Sequence, residues 1–170
     1  MDLKTCIRDI ADFPRTGVVF RDITPLLGNP EAFRQAVDAF LQRYESRGIT
    51  KVVGIEARGF FFAAPLAYRL SKPLVPIRKQ GKLPGRTRAI SYGLEYGTGV
   101  VEMHADAIAS GDRVLIIDDL LATGGTLAAA AELIEEAGGV VEELAVLVEL
   151  TDLAGRDTLA EYEVFSLLRY

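Results

Sequence analysis

The chain has 170 residues, with 19 Lys and Arg against 24 Asp and Glu, a formal net charge of −5 and 49% hydrophobic residues; this suits one domain with a sizeable core and excludes a disordered chain. An acidic balance disfavours nonspecific nucleic-acid binding, and no apolar run approaches the ~20 residues that span a membrane. The opening MDLKTCIRDIADF lacks the apolar stretch of a secretory signal and the single cysteine, Cys6, has no internal partner, so a cytoplasmic protein with neither nucleic-acid nor membrane partners is expected.

Leu3, Cys6, Ile7 and Ile10 fall at i, i+3, i+4 and i+7, which predicts a short opening helix. Residues 11–30 contain Pro and Gly without a clear period and predict an extended arm. Asn29 followed by Pro30 marks a helix start. Phe33, Ala36, Val37, Phe40, Leu41 and Tyr44 line one face of that helix, and Gly48 ends it. TKVVGIE predicts a strand, RGFFFAAPLAYRL a helix and KPLVPIRK another strand. Arg78, Lys79, Lys82, Arg86 and Arg88 then crowd around Gly81, Pro84 and Gly85. Charge alone leaves two readings of this segment: a solvated surface loop, or a mobile loop that meets a polyanion.

ISYGLEYG and GVVEMHADAI predict a hairpin. DRVLIIDD predicts a strand, TLAAAAELIEEA a helix stopped by Gly138 and Gly139, VVEELAVLVEL a strand and EVFSLLRY a last strand. Strands alternating with helices imply βαβ units, hence an α/β fold whose central sheet is mostly parallel and flanked by helices. The continuous apolar runs VLIID and LAVLVEL suit strands buried on both faces. Ligands of such sheets gather beyond the carboxyl ends of the strands.

One such end reads DDLLATGGT, residues 118–126. Its glycines let backbone N–H groups approach an anion closely. The helix that follows adds unpaired amides and the positive end of its dipole. Thr123 and Thr126 add hydroxyl donors. A phosphate monoester suits this cradle, and the acceptors Asp118 and Asp119 suit the hydroxyls of an attached ribose. An ordinary strand–turn–helix junction is the plainer alternative. Neither a Walker loop nor a G-x-G-x-x-G fingerprint is present. His104 is the only histidine, so multi-histidine metal sites are excluded.

VLIIDDLLATGGT resembles the signature of the type I phosphoribosyltransferases. FPRTGVVFRDITPLL, GIEARGFFFAAPLA, IRKQGKLPG and SYGLEYG, in this order, resemble the adenine branch of that family, over about Phe13 to Tyr170. The resemblance implies one phosphoribosyltransferase domain over 1–170, with a small N-terminal hood at about 1–30 and a flexible β-hairpin lid at about 80–100. It implies transfer of a 5-phosphoribosyl group from 5-phosphoribosyl 1-diphosphate to adenine, giving AMP and pyrophosphate. Mg²⁺ would be carried mainly by the diphosphate, with no protein ligand assigned, and a homodimer is implied.

By the same resemblance, Ala122, Thr123, Gly124, Gly125 and Thr126 hold the 5′-phosphate, and Asp118 and Asp119 the ribose. Arg58, in EARG after a cis Glu56–Ala57 peptide, binds the diphosphate and acts in catalysis. Arg78 and Lys79 meet the diphosphate, Arg78 at the neighbouring subunit's site, and Lys82 and Tyr96 belong to the same binding set. Glu95 is the acid/base near the purine nitrogens. Phe20 lies against the purine, and the backbones of Val19 and Arg21 read its edge. Two rivals stay open: a phosphoribosyltransferase for another base, and a non-catalytic regulator that binds the diphosphate or a nucleotide.

Overall fold

The computed structural model describes residues 1–93 and 98–170. The expected opening helix is only a 3-10 turn, Leu3–Cys6, capped by the Asp2 side chain. Beyond it Arg8–Ala11 (β1) pairs antiparallel with Val19–Asp22 (β2), a strand inside the expected extended arm. Helices this short are marginal in water, and cross-strand pairing supplies more. Arg8 stands opposite Asp22, with Nε 3.0 Å from Oδ2. Leu3 and Ile7 still reach the core, as the apolar stripe suggests, but through a turn and a strand entry.

Thr24–Leu27 (α1) leads to Pro30–Tyr44 (α2), whose Asn29 cap accepts hydrogen bonds from the amides of Glu31 and Ala32. Then come Lys51–Ile55 (β3), Phe60–Leu70 (α3) and Leu74–Lys79 (β4), followed by the hairpin strands Thr87–Gly93 (β5) and Thr98–His104 (β6). The basic segment thus becomes strand at Thr87. Arg113–Leu121 (β7), Gly125–Glu136 (α4) and Val140–Glu149 (β8) follow. Gly155–Thr158 (α5), a turn of helix without a sequence signal, precedes Val164–Arg169 (β9).

β3 to β9 form one seven-stranded sheet in the order β5-β6-β4-β3-β7-β8-β9. β4, β3, β7, β8 and β9 run parallel. The β5–β6 hairpin is antiparallel and joins the edge at β4. The chain enters the parallel part at β3 and builds outward on both sides, so a crevice opens at the carboxyl ends of β3, β4 and β7.

Both faces of the sheet are covered, which explains the unbroken apolar runs. Leu115 and Ile117 pack with α2 and α3, while Val114 and Ile116 pack with α4. Arg43 and Tyr44 on α2 and Arg47 in the turn after it surround the buried Glu143 of β8, with Tyr44 Oη donating to it at 2.6 Å. That network removes an otherwise costly lone charge from the core.

Candidate phosphate and diphosphate site

A cleft of about 470 Å³ lies over these three strand ends. The β3 end turns through Glu56, Ala57 and Arg58 into α3, and the Glu56–Ala57 peptide is cis, as the resemblance implies. Glu56 fastens the neighbouring strand end. One carboxylate oxygen accepts from Arg78 Nη2 at 2.9 Å, and the other accepts from the Lys79 amide at 2.9 Å. Arg78 also donates to the Lys82 carbonyl at 3.0 Å. The Arg78 hydrogen bond holds the Glu56 carboxyl below its usual range.

β7 continues to Leu121, so Asp118 and Asp119 sit within the strand and not at its end. The inward–outward alternation is out of step beyond them. Leu120 packs on the α2–α3 side and Leu121 on the α4 side, where continued alternation would exchange them. The two aspartates occupy this slip, and both line the cleft. Asp118 Oδ1 accepts from the Asp119 amide at 2.8 Å, and Asp119 is buried beside Arg58, whose Nε lies 3.0 Å from its Oδ2. Burial pushes the Asp118 carboxyl well up, and the Asp119 charge adds to this. Burial also raises Asp119, against the opposing pull of Arg58.

The chain next bends through Ala122 and Thr123 to Gly124, which adopts φ +88° and starts α4 without a side-chain cap. The first amides of an α-helix have no partner within it, so the α4 dipole and its free donors face the cleft. Gly124 is fixed by space as well as by φ. A Cβ there would stand 2.7 Å from the Gly155 carbonyl. Tyr92, at the end of β5, also lines the cleft.

The cleft therefore gathers Arg58, Arg78, Lys79, Asp118, Asp119 and Ala122 through Thr126. Lys82 does not line it; its side chain is exposed, and its backbone carbonyl and amide contact Arg78 and Glu102. Val19, Phe20 and Arg21 lie outside the cleft on β2, but Phe20 meets it through Arg58, whose guanidinium is 5.0 Å from the ring centre. Phe13 packs edge-on against Phe20 at 5.2 Å. Arg21 stacks on Tyr170 at 4.2 Å and pairs with Asp9. Glu95 and Tyr96 lie outside the described residues.

Sequence reasoning named Glu56 only for its cis peptide and gave its side chain no role, and it did not single out Tyr92 or Gly155. The only signal for Glu56 is its place in EARG, since its partner lies 22 residues away. Among the described residues no group of three or more His, Cys, Asp or Glu side chains is placed to hold a metal ion.

Residues 22–168 match the family model described as a phosphoribosyl transferase domain. The chain is 57% identical to the adenine phosphoribosyltransferase of Roseiflexus sp. (strain RS-1), over 99% of this chain and 98% of that one. Among solved structures it is similar to adenine phosphoribosyltransferase from Thermoanaerobacter pseudethanolicus, with a TM-score of 0.96, 48% identity, and coverage of 99% of this chain and 98% of the other. It is also similar to the Saccharomyces cerevisiae enzyme complexed with adenine and an imino-altritol bisphosphate, at a TM-score of 0.94 and 39% identity, over 98% of this chain and 96% of that one.

Proposed function

The chain belongs to the phosphoribosyltransferase family, in its adenine phosphoribosyltransferase branch, and from that premise we infer that it transfers the 5-phosphoribosyl group of 5-phosphoribosyl 1-diphosphate to adenine, giving AMP and pyrophosphate. One observation carries this reading: an uncapped helix start, a pair of carboxylates and two arginines converge on one cleft at the β3–β4–β7 switch. Those groups match, in order along the cleft, a 5′-phosphate, a ribose and a diphosphate.

The mechanism follows from this order. Amides at 123–126 and the α4 dipole fix the phosphate. Asp118 and Asp119 accept hydrogen bonds from the ribose hydroxyls, which places C1′ toward Arg58. Adenine N9 bonds to C1′ as the C1′–O bond to diphosphate breaks, through a transition state with oxocarbenium character. Arg58, Arg78 and Lys79 stabilise the negative charge that gathers on the leaving diphosphate. Phe20 supports the purine face, with the backbones of Val19 and Arg21 at its edge. Glu95 exchanges the proton of the purine ring, and Tyr96 and Lys82 belong to the lid that excludes water from C1′.

The oxygen-rich cleft fits Mg²⁺ brought by the diphosphate. Asp118 and Asp119 offer hard oxygen donors, and the cleft lining has no thiolate or imidazole. When bound, the ion screens diphosphate charge.

A homodimer is part of the same proposal. On α3, Phe61 is 46% and Tyr68 84% exposed, and Ala64 is exposed and Pro65 half-buried between them. Spaced at i, i+3, i+4 and i+7, they form an apolar stripe of the kind that covers another surface. Residues 1–170 then act as one domain, with a hood at about 1–30 and a lid at about 80–100. A cytoplasmic location fits the free Cys6.

The test is formation of AMP and pyrophosphate from adenine and 5-phosphoribosyl 1-diphosphate, with hypoxanthine and guanine as competitors. Product from adenine alone is expected. Turnover of another base in preference to adenine overturns the assignment of the base.

A further inference from the structure

The strongest feature outside the cleft is an ionic cluster around one buried carboxylate behind the phosphate loop. Glu149 ends β8 and is 5% exposed. Its Oε1 accepts from Arg156 Nε at 2.7 Å, and its Oε2 accepts from Arg156 Nη2 at 2.9 Å. Ser166 Oγ on β9 donates to Oε2 at 2.5 Å, and Arg169 Nε lies 3.2 Å from the same oxygen. Arg156 Nη1 donates to the Val164 carbonyl at 3.0 Å. The fork of Arg156 thus ties α5 to both β8 and β9, in the bidentate geometry that fixes orientation as well as distance.

The residue before Arg156 supports the phosphate loop. Gly155 is buried, and a Cβ there would fall 2.2 Å from the Ala122 carbonyl and 2.7 Å from Leu121 Cδ1. From the other side, a Cβ at Gly124 would meet the Gly155 carbonyl at 2.7 Å and Thr158 Cβ at 3.1 Å. Residues 122–124 therefore rest on α5 backbone with no side chain between. Ala154, which starts α5, holds φ +50°, a left-handed conformation that costs a non-glycine residue roughly 1–2 kcal/mol. Such a conformation persists only where its surroundings over-determine it: the Ala154 amide donates to the Thr151 carbonyl, its carbonyl accepts from the Asp157 amide, and the Arg156 fork adds the side-chain constraint.

We propose that Arg156, clamped by Glu149 and Ser166, is a positioning residue for the 5′-phosphate: through Gly155 it sets the height and curvature of the Ala122–Gly124 segment, without itself touching substrate. This rests on the reading of residues 122–126 as the phosphate cradle and adds to it a support that lies outside the cleft lining. The role is selective. The clamp bears directly on the phosphate loop through Gly155, while it meets the hood only at one remove, through Tyr170, whose amide donates to the Glu149 carbonyl and whose ring stacks on Arg21.

The experiment measures the affinity of ribose 5-phosphate by calorimetry, and KM for both substrates, in the wild type and in Arg156→Ala and Arg156→Lys. Loss of one charge-assisted fork should weaken ribose 5-phosphate, and raise KM for 5-phosphoribosyl 1-diphosphate, by about tenfold in Arg156→Ala. KM for adenine should stay within about twofold of wild type, since uniform damage would move both constants. Lysine restores the charge but not the fork, so Arg156→Lys should fall between the two. Gly155→Ala, which pushes on the Ala122 carbonyl directly, should give the same selective loss. If Arg156→Ala does not fold, Arg156→Lys and Gly155→Ala are judged by the same criteria.

Ribose 5-phosphate binding unchanged in the folded variants overturns the positioning role, as does a parallel rise in both KM values. Wild-type protein that does not bind ribose 5-phosphate overturns the phosphate cradle itself. Wild-type protein that binds it but forms no AMP overturns the proposed activity and leaves the positioning role to be decided by the calorimetry.

Discussion

Arg58 Nε lies 3.0 Å from Asp119 Oδ2, and the same guanidinium stands 5.0 Å from the centre of the Phe20 ring. One side chain thus joins β7, the strand of Asp118 and Asp119, to β2, the strand of Phe20. In the function proposed, this contact pairs the cation assigned to the diphosphate with an acid assigned to the ribose. On that proposal substrate redistributes the pair, which couples binding to the ordering of the site.

The pair should be measurable as a coupling. A double-mutant cycle on Arg58→Ala and Asp119→Asn, read from urea unfolding of the free protein, should return a favourable coupling of about 1 kcal/mol, because Asp119 is buried and Arg58 is one-third exposed. Arg58→Ala should also lower kcat/KM by about 100-fold through lost leaving-group stabilisation. A coupling indistinguishable from zero would mean that the contact has no energetic content.

Asp118 should show the opposite sign. Burial and the neighbouring Asp119 raise its carboxyl above the usual 3.8. The folded state therefore binds this proton more tightly than the unfolded state, and stability declines as pH rises from about the unfolded value through the raised one. Asp118→Asn keeps an oxygen for the Asp119 amide and removes the charge. At pH 7 it should melt higher than wild type, by roughly 2–4 °C for each kcal/mol relieved, with the gain shrinking in acid. Activity should fall, since the ribose loses an acceptor. A variant that melts lower at pH 7 contradicts this account.

The features legible in sequence were those with local causes. The Asn29–Pro30 start of α2 and the parallel core strands follow from capping and from apolar runs. DDLLATGGT pointed to the cleft that it lines, because two acids and a glycine turn have no packing rationale. Ile10 misled, because a stripe at helical spacing also serves a strand whose partner, Phe20, lies ten residues on. The side-chain role of Glu56 and the part played by Gly155 were invisible for a related reason. Each acts through a neighbour distant in sequence: Arg78 for the first, Ala122 and Gly124 for the second. No local pattern encodes such contacts.

Glu95 falls outside the described residues, and kinetics tests it directly. Glu95→Ala should lower kcat by about 100-fold, within the usual range for a lost general acid/base, while KM for adenine changes by less than about threefold. A change confined to KM would make Glu95 a binding residue.

The apolar stripe on α3 should govern assembly. Tyr68→Glu places a charge at the most exposed large hydrophobic residue among the described residues, 84% accessible in the single chain. The expected result is a shift from dimer to monomer in sedimentation at micromolar concentration, with little change in the secondary structure of each chain. Arg78 lines the cleft of its own chain, whereas the resemblance implies a reach to the neighbouring subunit's site. Mixed dimers of an Arg78→Ala chain with a Glu95→Ala chain decide between the two: no recovered activity keeps Arg78 in its own cleft, and recovery of part of the activity moves it to the partner's. A Tyr68→Glu protein that stays dimeric would move the interface off α3.

Glu149 offers a stability test separate from catalysis. The Arg156 hydrogen bond is the largest influence on its carboxyl, which is held down at about 2 against an ordinary value of 4.5. The folded state thus binds this proton more weakly than the unfolded state. The resulting stabilisation is complete above pH 4.5 and is lost as pH falls from 4.5 toward 2. Arg156 is 39% exposed, so solvent screening cuts the contribution to about 1–2 kcal/mol. Glu149→Gln should therefore unfold at lower urea than wild type at pH 7, and the two curves should converge as the buffer is taken from pH 5 toward pH 3. A difference that persists undiminished at pH 3 would place the energy in packing around β8 and not in the ion pair. Unchanged stability at pH 7 would show that water replaces the carboxylate without loss.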